Sequence, residues 1–501
     1  MLHQTAHSLP FDEVVPDAIA VKGLSRSSLL TQRRRVRVPP QTGISYGAAG
    51  AGGGGRQIQF VIADAGGLLD PASINFIYNV QTSGTQCCVD DGAGVFSRLQ
   101  VNLNGQNLED VVNVGKYTNA EVKLSCGQNW YKNEGSFAGF ELLNNELQNG
   151  ASPAGTGAGA LTGNQVVAYS GAWGNICGNQ AAIAARQAVD GATYAWNPFG
   201  GEQRTLPLGL MSGVGRMKSY IPLQTFGELN ITLFTGSANE ACFQPPDTTN
   251  GDFSLNAVYC EYDIVVANPI YAELLHRMAN DPSEPGLNLP FESTIMASGT
   301  VIPASATLSE SSIIVSRATQ NLLRSLLVLQ PSALLNTKNY PSQSAFSHSG
   351  AFSIQWRIGS LYFPSIPAQG DASMMTCAMT AYGSADTNEN GSCINRELWH
   401  VNTTAVGTGA NWATTVPTVR AGESTSKFAF ADSFIPAYGF QVVKGNAEPL
   451  AVDGVSLSGA SGSQAVLILQ AAPAANMSPY VALVALRFIS AHGGGVRVLG
   501  A

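Results

Sequence analysis

The sequence is poor in charged residues. Asp, Glu, Lys and Arg make up 12% of its 501 residues, against roughly 25% in a typical soluble domain. A freely diffusing enzyme usually carries more surface charge, whereas a subunit that buries much of its surface against neighbours does not need it. The scarcity of charge therefore favours a subunit of a larger assembly.

Long apolar runs and a secretory signal are also missing. A bilayer span needs about 20 apolar residues, and the longest candidate, 480–489, contains Arg487 and has only the length of a strand. The first residues lack the basic-then-apolar order of a signal peptide. We expect a chain that is made inside the cell and does not enter the secretory route.

The sequence contains no recognisable catalytic motif. There is no G-x-S-x-G, no Walker-type G-x-x-x-x-G-K and no H-E-x-x-H, and the six histidines are scattered. The eight cysteines form no CxxC pair, so we expect free thiols and no zinc site. Residues 50–55 match G-x-G-x-x-G, but they follow an irregular segment and precede a strand, which favours a hinge. We expect no enzyme, no cofactor and no metal.

Two pairs of adjacent carboxylates, Asp90–Asp91 and Glu109–Asp110, could suggest acid–base chemistry. Neighbouring residues on a strand point to opposite faces of the sheet, so adjacency does not form a catalytic pair. We expect these four residues at turn or surface positions.

The N-terminal segment has the opposite charge to the rest of the chain. Residues 41–501 hold 20 basic and 31 acidic residues. Residues 22–40 hold six basic residues and no acidic one: Lys22, Arg26, Arg33, Arg34, Arg35 and Arg37. Two interpretations stay open: a contact for nucleic acid or anionic lipid, or a solvated tail. Residues 47–55 are a Gly-rich hinge, so we assign 1–55 to a basic arm and hinge and expect regular structure from Arg56.

One strand-and-turn phrase occurs twice. Residues 97–108 and 352–364 each alternate as a strand does, run into a Gly turn and continue with a short apolar stretch. Potential helices follow at 114–124 and 372–382. Two such phrases about half a chain apart predict a duplicated all-β unit.

The surrounding segments repeat in the same order. A long irregular segment follows each phrase, at about 128–205 and 384–426, and a Pro- and Gly-rich linker lies at 280–290. Each half has about the eight strands of a jelly roll. We therefore predict an all-β fold of two tandem eight-stranded jelly rolls, 56–279 and 291–501, with long loop insertions and a few short helices. Tryptophans in or beside the irregular segments either anchor local cores or pack across subunit boundaries.

Two segments resemble a known protein family. Residues 354–364 resemble the strand entry of the second jelly roll in capsid proteins of polinton-like viruses and virophages, and residues 58–71 resemble the start of their first roll. The resemblance spans most of 56–495. It implies a double jelly-roll major capsid protein: three chains would form a pseudo-hexagonal capsomer, and capsomers would self-assemble into an icosahedral shell around double-stranded DNA.

The resemblance also implies partners and a location. These are a homotrimer, neighbouring capsomers, minor capsid or penton proteins, and genomic DNA or an internal membrane contacted through the basic arm, in a virion assembled inside the host cell. Removing residues 1–40 would then leave trimers but impair shell closure. The alternatives are a penton or spike-type minor capsid protein, which usually has a single roll, and a carbohydrate-binding jelly-roll protein, which needs a signal peptide or a convergent acidic and aromatic site.

Overall fold

The fold is that of a computed structural model. It describes residues 30–43, 45–48, 56–63, 67–83, 88–90, 92–127, 130–135, 137–140, 202–243, 252–281, 286–315, 319–337, 342–382, 392, 394, 399, 433–441, 454–457 and 465–499. Most of the two irregular segments, 128–205 and 384–426, lies outside these residues.

Strands dominate the described residues. In chain order they are β1 (Leu30–Val38), β2 (Tyr46–Gly47), β3 (Gln57–Ile62), β4 (Gly67–Ser83), β5 (Cys88–Val89), β6 (Phe96–Leu103), β7 (Gln106–Val112), β8 (Glu202–Pro207), β9 (Ile221–Pro222), β10 (Leu229–Thr235), β11 (Cys242–Phe243), β12 (Asp252–Ala267), β13 (Leu287–Ser298), β14 (Ser309–Val315), β15 (Leu322–Pro331), β16 (Ala351–Ile358), β17 (Leu361–Gln369), β18 (Ala437–Gly439), β19 (Ala465–Ala471), β20 (Met477–His492) and β21 (Gly495–Leu499).

Within the described ranges, helices are few and short. The α-helices are α1 (Val114–Ser125), α2 (Leu208–Met211), α3 (Leu223–Phe226), α4 (Ala238–Ala241), α5 (Pro269–Asn280) and α6 (Gly370–Ala381). Single turns of 3₁₀-helix lie at Gly92–Val95, Val214–Arg216 and Ser332–Leu334, and a π-helical turn lies at Tyr131–Gly135.

The strands build two sandwiches with the same topology. In roll 1 the first sheet has the order β1-β12-β4-β8 and the second β3-β10-β6-β7. In roll 2 the corresponding orders are β13-β20-β15-β18 and β14-β19-β16-β17. Each of these eight strands of one roll therefore has a counterpart in the other. The counterparts occupy the same place in their sheets and follow one another in the same order along the chain. The predicted pair of eight-stranded jelly rolls is confirmed.

Alternation of buried and exposed residues explains why these segments form sandwich strands. In β3, Ile58, Phe60 and Ile62 are fully buried, while the residues between them are not. In β16 of roll 2, Ile354, Trp356 and Ile358 are likewise buried, while Gln355 and Arg357 between them are not. Side chains of a strand point alternately to its two faces, so one face of each sheet supplies the core.

The doubled phrase occupies equivalent places in the two rolls. β6 turns at Gly105 (φ +76°) into β7, which leads to α1; β16 turns at Gly359 (φ +60°) into β17, which leads to α6. A positive φ favours glycine because it has no Cβ. The prediction from these two phrases is confirmed.

One prediction about the N-terminal segment is wrong. Regular structure does not wait until Arg56, because β1 pairs antiparallel with β12 from Leu30 opposite Ala267 to Val38 opposite Cys260. β1 is the counterpart of β13 and forms the first strand of roll 1. The run of basic residues makes this strand difficult to predict from the sequence. The alternation of an exposed arginine with a half-buried valine starts only at Arg35. The linker boundary at 280–290 stays a prediction, and β13 begins within it at Leu287.

Candidate functional site

The two rolls meet at a surface that we call the seam. Roll 1 contributes β7, α1 and the turn at Val214–Arg216, and roll 2 contributes β13, β15 and β20. α1 lies within it: ten of its twelve residues are buried. A helix that carries two lysines and a glutamate is buried this deeply only where another surface covers its polar side.

Four alternating charges cross the seam. Glu121 of α1 accepts hydrogen bonds from Arg216 of roll 1 and from Arg324 of roll 2, the latter 3.2 Å from Nη2 to Oε1. Arg324 also donates two hydrogen bonds to Glu292 on β13, at 2.9 and 2.6 Å. The Tyr382 hydroxyl, just after α6, donates to Glu121 at 3.4 Å. Two carboxylates and two guanidinium groups thus neutralise one another across the two rolls.

The electrostatics of this cluster hold both carboxylates ionised. Burial opposes ionisation of Glu121, but Arg216 and Arg324 outweigh it and lower its pKa to about 2. The pKa of Glu292 is lowered for the same reason, with Arg324 contributing most. Burial raises the pKa of the Tyr117 hydroxyl, to which Arg216 donates a hydrogen bond at 2.9 Å, so this tyrosine stays neutral.

Glu109 on β7 forms a second contact across the seam. Its side chain is 1% exposed and accepts from the backbone N–H of Thr294 on β13 at 2.8 Å, from the Ser212 hydroxyl, and from the backbone N–H groups of Gly213 and Val214. Burial raises the pKa of Glu109, and these hydrogen bonds oppose that rise. Beside it, Arg487 Nη1 donates to the backbone oxygen of Leu108 at 2.8 Å.

Asp90 forms a third contact across the seam. It is buried and accepts from the backbone N–H of Gln343 at 2.8 Å and from the Ser344 hydroxyl, both in roll 2. The expectation of a turn or surface position is therefore wrong for Glu109, which is buried within β7, while Asp90 lies in the connection after β5 but is buried there. Asp110 is half-buried and pairs with Arg98, and Asp91 lies outside the described residues. Strand alternation indicates that adjacent residues face opposite ways, but it does not tell which face a second roll covers.

The arginines predicted in the basic arm form a ladder with acidic residues, which we call the arginine ladder. Arg33 Nε and Arg35 Nε lie 2.8 and 3.0 Å from Asp263, Arg33 also binds Asp70 at 2.8 Å, and Arg37 binds Glu261 at 2.7 Å. Partial burial opposes ionisation of Asp263, but hydrogen bonds from Arg35 and Arg33 lower its pKa. The three arginine side chains remain more than half exposed.

The ladder uses three of the six residues singled out in the arm to hold β1 on its sheet. Arg34, on the opposite side of β1, is exposed and lies opposite Ile264 in the register. Lys22 and Arg26 lie outside the described residues. A contact of the arm with phosphate stays a prediction.

Roll 2 leaves exposed the surface that corresponds to the seam side of roll 1. α6, the counterpart of α1, buries only Met374, Ala378 and Ala381. Its exposed residues are small and uncharged: Ala372, Ser373, Thr376 and Thr380. The adjacent edge strand β17 exposes Leu361 (59%), Tyr362 (46%) and Ile366 (77%). We call α6 and β17 together the open side of roll 2.

The described residues carry no sign of chemistry beyond packing. They contain no group of three or more His, Cys, Asp or Glu side chains that could hold a metal ion. Cys126, Cys242, Cys260 and Cys377 are free thiols. In the same part of the chain, every helix is too short or too polar to cross a bilayer. Trp130 packs at a tilt against Phe140, and Trp399 packs edge-on against Phe434, so both lie in local aromatic contacts.

Comparison with solved structures finds virus capsid proteins along the whole chain. VP54 of PBCV-1, fitted into a cryo-EM reconstruction of the virophage Sputnik, matches 96% of this chain and 99% of its own, with a TM-score of 0.52 and 8% identity. A chain of the quasi-atomic PBCV-1 capsid matches with the same coverage, a TM-score of 0.51 and 9% identity. The mavirus major capsid protein matches 98% of this chain and 95% of its own, with a TM-score of 0.46 and 10% identity. Neither a protein-family model nor a curated protein matches the sequence. The two PBCV-1 likenesses show that the fold is the double jelly roll of capsid proteins.

Proposed function

We propose that this chain is a major capsid protein that trimerises into pseudo-hexagonal capsomers of an icosahedral shell. The double jelly roll along the whole chain supports a capsid role. The low charge content supports extensive burial against other subunits. The main support for the proposal is that two kinds of surface meet at the seam, and each roll also exposes a surface of the other kind.

Within the chain, the seam joins the α1 side of roll 1 to the outer face of the β13-β20-β15 sheet of roll 2. The counterpart of the first surface is the open side of roll 2. The counterpart of the second is the outer face of the β1-β12-β4 sheet in roll 1, which carries the arginine ladder. A second copy can therefore repeat the internal contact by packing its ladder face against the open side of the first.

Such a contact joins two different surfaces and is heterologous, and heterologous contacts form closed rings when the rotation permits. Three copies contain six similar rolls, so a ring that repeats the seam has a nearly hexagonal outline. Neighbouring capsomers, penton proteins and minor capsid proteins would then complete the shell. A penton-type protein usually has one roll, which disfavours that alternative here.

The chemistry of the two surfaces suits this docking. The exposed residues Ala372, Ser373, Thr376 and Thr380 of α6 are uncharged, and Ile366 on β17 is 77% exposed. The one acidic side chain of α6, Asp371, is 40% exposed and lies 2.7 Å from His348 Nε2. The arginines of the ladder are already paired with Asp263, Glu261 and Asp70. Docking then buries apolar area while the ladder arginines keep their acidic partners, so none of these arginines is buried unpaired, which would be costly.

The first test is the state of the purified full chain. Negative-stain electron microscopy and mass photometry should show a three-fold particle with a hexagonal outline. A chain that stays monomeric and forms no shell would overturn the capsid proposal.

The second test uses two variants that each block one surface. Ile366→Lys blocks the open side of roll 2, and Asn75→Lys, on β4, blocks the ladder face of roll 1. Each variant alone should be monomeric. An equimolar mixture should give heterodimers and no trimers, because each variant retains one complementary surface and lysine repels lysine at the other.

The matched control is Ile314→Lys on β14, at the opposite edge of the sheet that contains β17. Ile314 is 55% exposed, so its replacement adds the same charge to a similar surface and should leave the trimer intact. If wild-type trimers form but Ile366→Lys also trimerises, the seam-like contact is wrong while the capsid proposal stands.

For the arm, we propose that Lys22 and Arg26 contact phosphate of genomic DNA or of an internal membrane. Because β1 belongs to the roll 1 sheet, the informative truncation removes residues 1–29 and not 1–40. The truncated chain should form trimers but close fewer shells in a salt-sensitive way. Normal shell yield after this truncation would contradict the arm proposal.

A further inference from the structure

A cavity of about 270 Å³ opens at the seam, at the N-terminal end of α1. Roll 1 lines it with Asn113, Lys116 and Glu240, and roll 2 lines it with Ser298, Ser342 and Tyr480, among others. The lining is polar, and both rolls contribute to it. A molecule bound here would contact both rolls at once.

Lys116 is the unusual member of this lining. It is 3% exposed, and its Nζ lies 4.0 Å from the ring centroid of Tyr480. Among the described residues, Nζ has no hydrogen-bond acceptor and no carboxylate within ion-pair distance. Although the side chain is buried along its length, the Nζ atom is not itself enclosed, so it faces the cavity and can donate to a group bound there. Burial lowers the pKa of Lys116 to about 8, yet the amine is still mostly protonated at pH 7.

The helix adds to this positive potential. α1 begins at Val114, its N-cap Asn113 makes no side-chain capping hydrogen bond, and its first turn has no acidic residue. The backbone N–H groups of a helix N-terminus favour a negative charge nearby. The first turn of α1 carries Lys116 where an acidic residue is usual. The lysine and the backbone N–H groups of the helix N-terminus therefore both give the cavity a positive potential.

The other titratable groups near Lys116 do not neutralise it locally. Glu240 and Asp90 both act on the amine only at long range and raise its pKa. Glu240 is half-exposed, so solvent screens its charge, and Asp90 is already bound by Gln343 and Ser344. Tyr480 is neutral, because burial raises the pKa of its hydroxyl.

We propose that this cavity binds a small oxyanion, a carboxylate or a phosphate, through Lys116. The anion supplies the acceptor that the ammonium group lacks, and the Ser and Asn side chains supply further hydrogen bonds. Because the unfolded chain has no such site, the bound anion stabilises the folded state and specifically the docking of the two rolls. This site is independent of the capsid role.

The experiment measures the melting temperature of the full chain in sodium acetate, in sodium phosphate and in sodium chloride, at equal ionic strength and pH 7. Acetate or phosphate should raise the melting temperature by about 2 °C or more over chloride. The comparison of acetate with phosphate distinguishes the two anions. The rise should disappear as the pH passes about 8, where Lys116 loses its proton.

The variant Lys116→Met removes the ammonium group and should abolish the rise. The matched control is Lys123→Met on the same helix, since Lys123 Nζ already donates to the backbone oxygen of Ser344 and lies 5.2 Å from the Phe346 ring centroid. Lys123→Met should retain the full response to the anions. An equal response in Lys116→Met would overturn the proposal.

A labelling readout needs no variant. Brief acylation of wild-type protein, followed by peptide mass spectrometry, should modify Lys116 several-fold more slowly in acetate or phosphate than in chloride. Unchanged labelling of Lys116 together with an unchanged melting temperature in both anions would exclude the site.

Discussion

The two rolls share a topology but differ in how deeply their equivalent helices and their ion pairs are buried. Ten of the twelve residues of α1 are buried and its charges reach across the seam, whereas its counterpart α6 is open on one side, where its exposed residues are small and uncharged. The sheet of roll 2 next to the seam has a buried charge cluster, whereas the equivalent sheet of roll 1 has the exposed arginine ladder.

This contrast distinguishes a permanent contact from a reversible one. Ion pairs enclosed between the rolls are costly to break singly, because the remaining charge is left buried. Exposed ion pairs contribute little and are screened by salt. The seam therefore fixes the relative position of the rolls within one chain, while the ladder arginines and the open side remain exposed.

The largest expected effect comes from removing one charge of the buried cluster. Arg324→Met leaves Glu121 and Glu292 together with only Arg216, so the free energy of unfolding should fall by about 3–5 kcal/mol. The matched change in the ladder, Arg35→Met, should cost less than about 1 kcal/mol. Urea unfolding of both variants measures the difference. Equal losses would remove the distinction between the two clusters.

The next effect is a pH dependence specific to the seam. The pKa of Glu121 is lowered to about 2, so its contribution is present above the unfolded-state pKa near 4.5 and is lost as the pH falls toward 2. The lowered pKa corresponds to about 3 kcal/mol. Glu109, whose pKa is raised, acts with the opposite sign.

The check on this pH dependence is the variant Glu121→Gln. Urea midpoints measured from pH 6 to pH 2.5 should fall less steeply for Glu121→Gln than for the wild type, because the variant has no carboxylate to protonate at this position. Parallel curves for the two proteins would mean that Glu121 does not contribute to the acid sensitivity of the seam.

The smallest expected effect compares two glycines. A Cβ on Gly213 would lie 1.9 Å from the backbone oxygen of Glu292, across the seam, so Gly213→Ala must shift one roll against the other and should cost about 1–3 kcal/mol. Gly359, in the turn before β17, has open space around it but a φ of +60°. Gly359→Ala should cost about 1 kcal/mol by backbone strain alone.

A second measurement separates the two mechanisms. Replacing Gly359 by Asn, which tolerates a left-handed conformation better than alanine, should recover part of the lost stability. The same replacement at Gly213 should be worse than alanine, because the larger side chain adds to the steric conflict. Recovery at both sites would show that packing across the seam is not tight at Gly213.

Local sequence patterns were enough to predict the fold but not the seam. Each copy of the duplicated phrase occupies only about 30 residues. It contains an alternating strand, a turn at Gly105 or Gly359 and a following helix, so local patterns are enough to predict the duplication. The ladder joins Arg33 to Asp263, 230 residues away, and Glu109 meets Thr294, 185 residues away. One sequence does not show which distant segments pair.

Composition also misdirected the interpretation of β1. A run of arginines is typical of a solvated or nucleic-acid-binding segment, and the acidic residues that neutralise it stand elsewhere in the chain. The signal that could have revealed the strand is the alternation from Arg35 to Val38 opposite an equally regular 258–266. Only the register connects Arg35 with Asp263.

The pairing of β1 with β12 also sets an order for biosynthesis. The first sheet of roll 1 closes only when residue 267 has left the ribosome, so the N-terminal strand waits while more than 220 residues are translated. Roll 1 then completes before roll 2 exists, since domains generally fold in the order of their synthesis. During that interval Glu109 and Glu121 have their roll 1 partners Ser212 and Arg216 but lack Thr294 and Arg324. The emerging second roll must then fold against a surface that is already formed. The N-terminal roll is thus a template on which its own duplicate assembles.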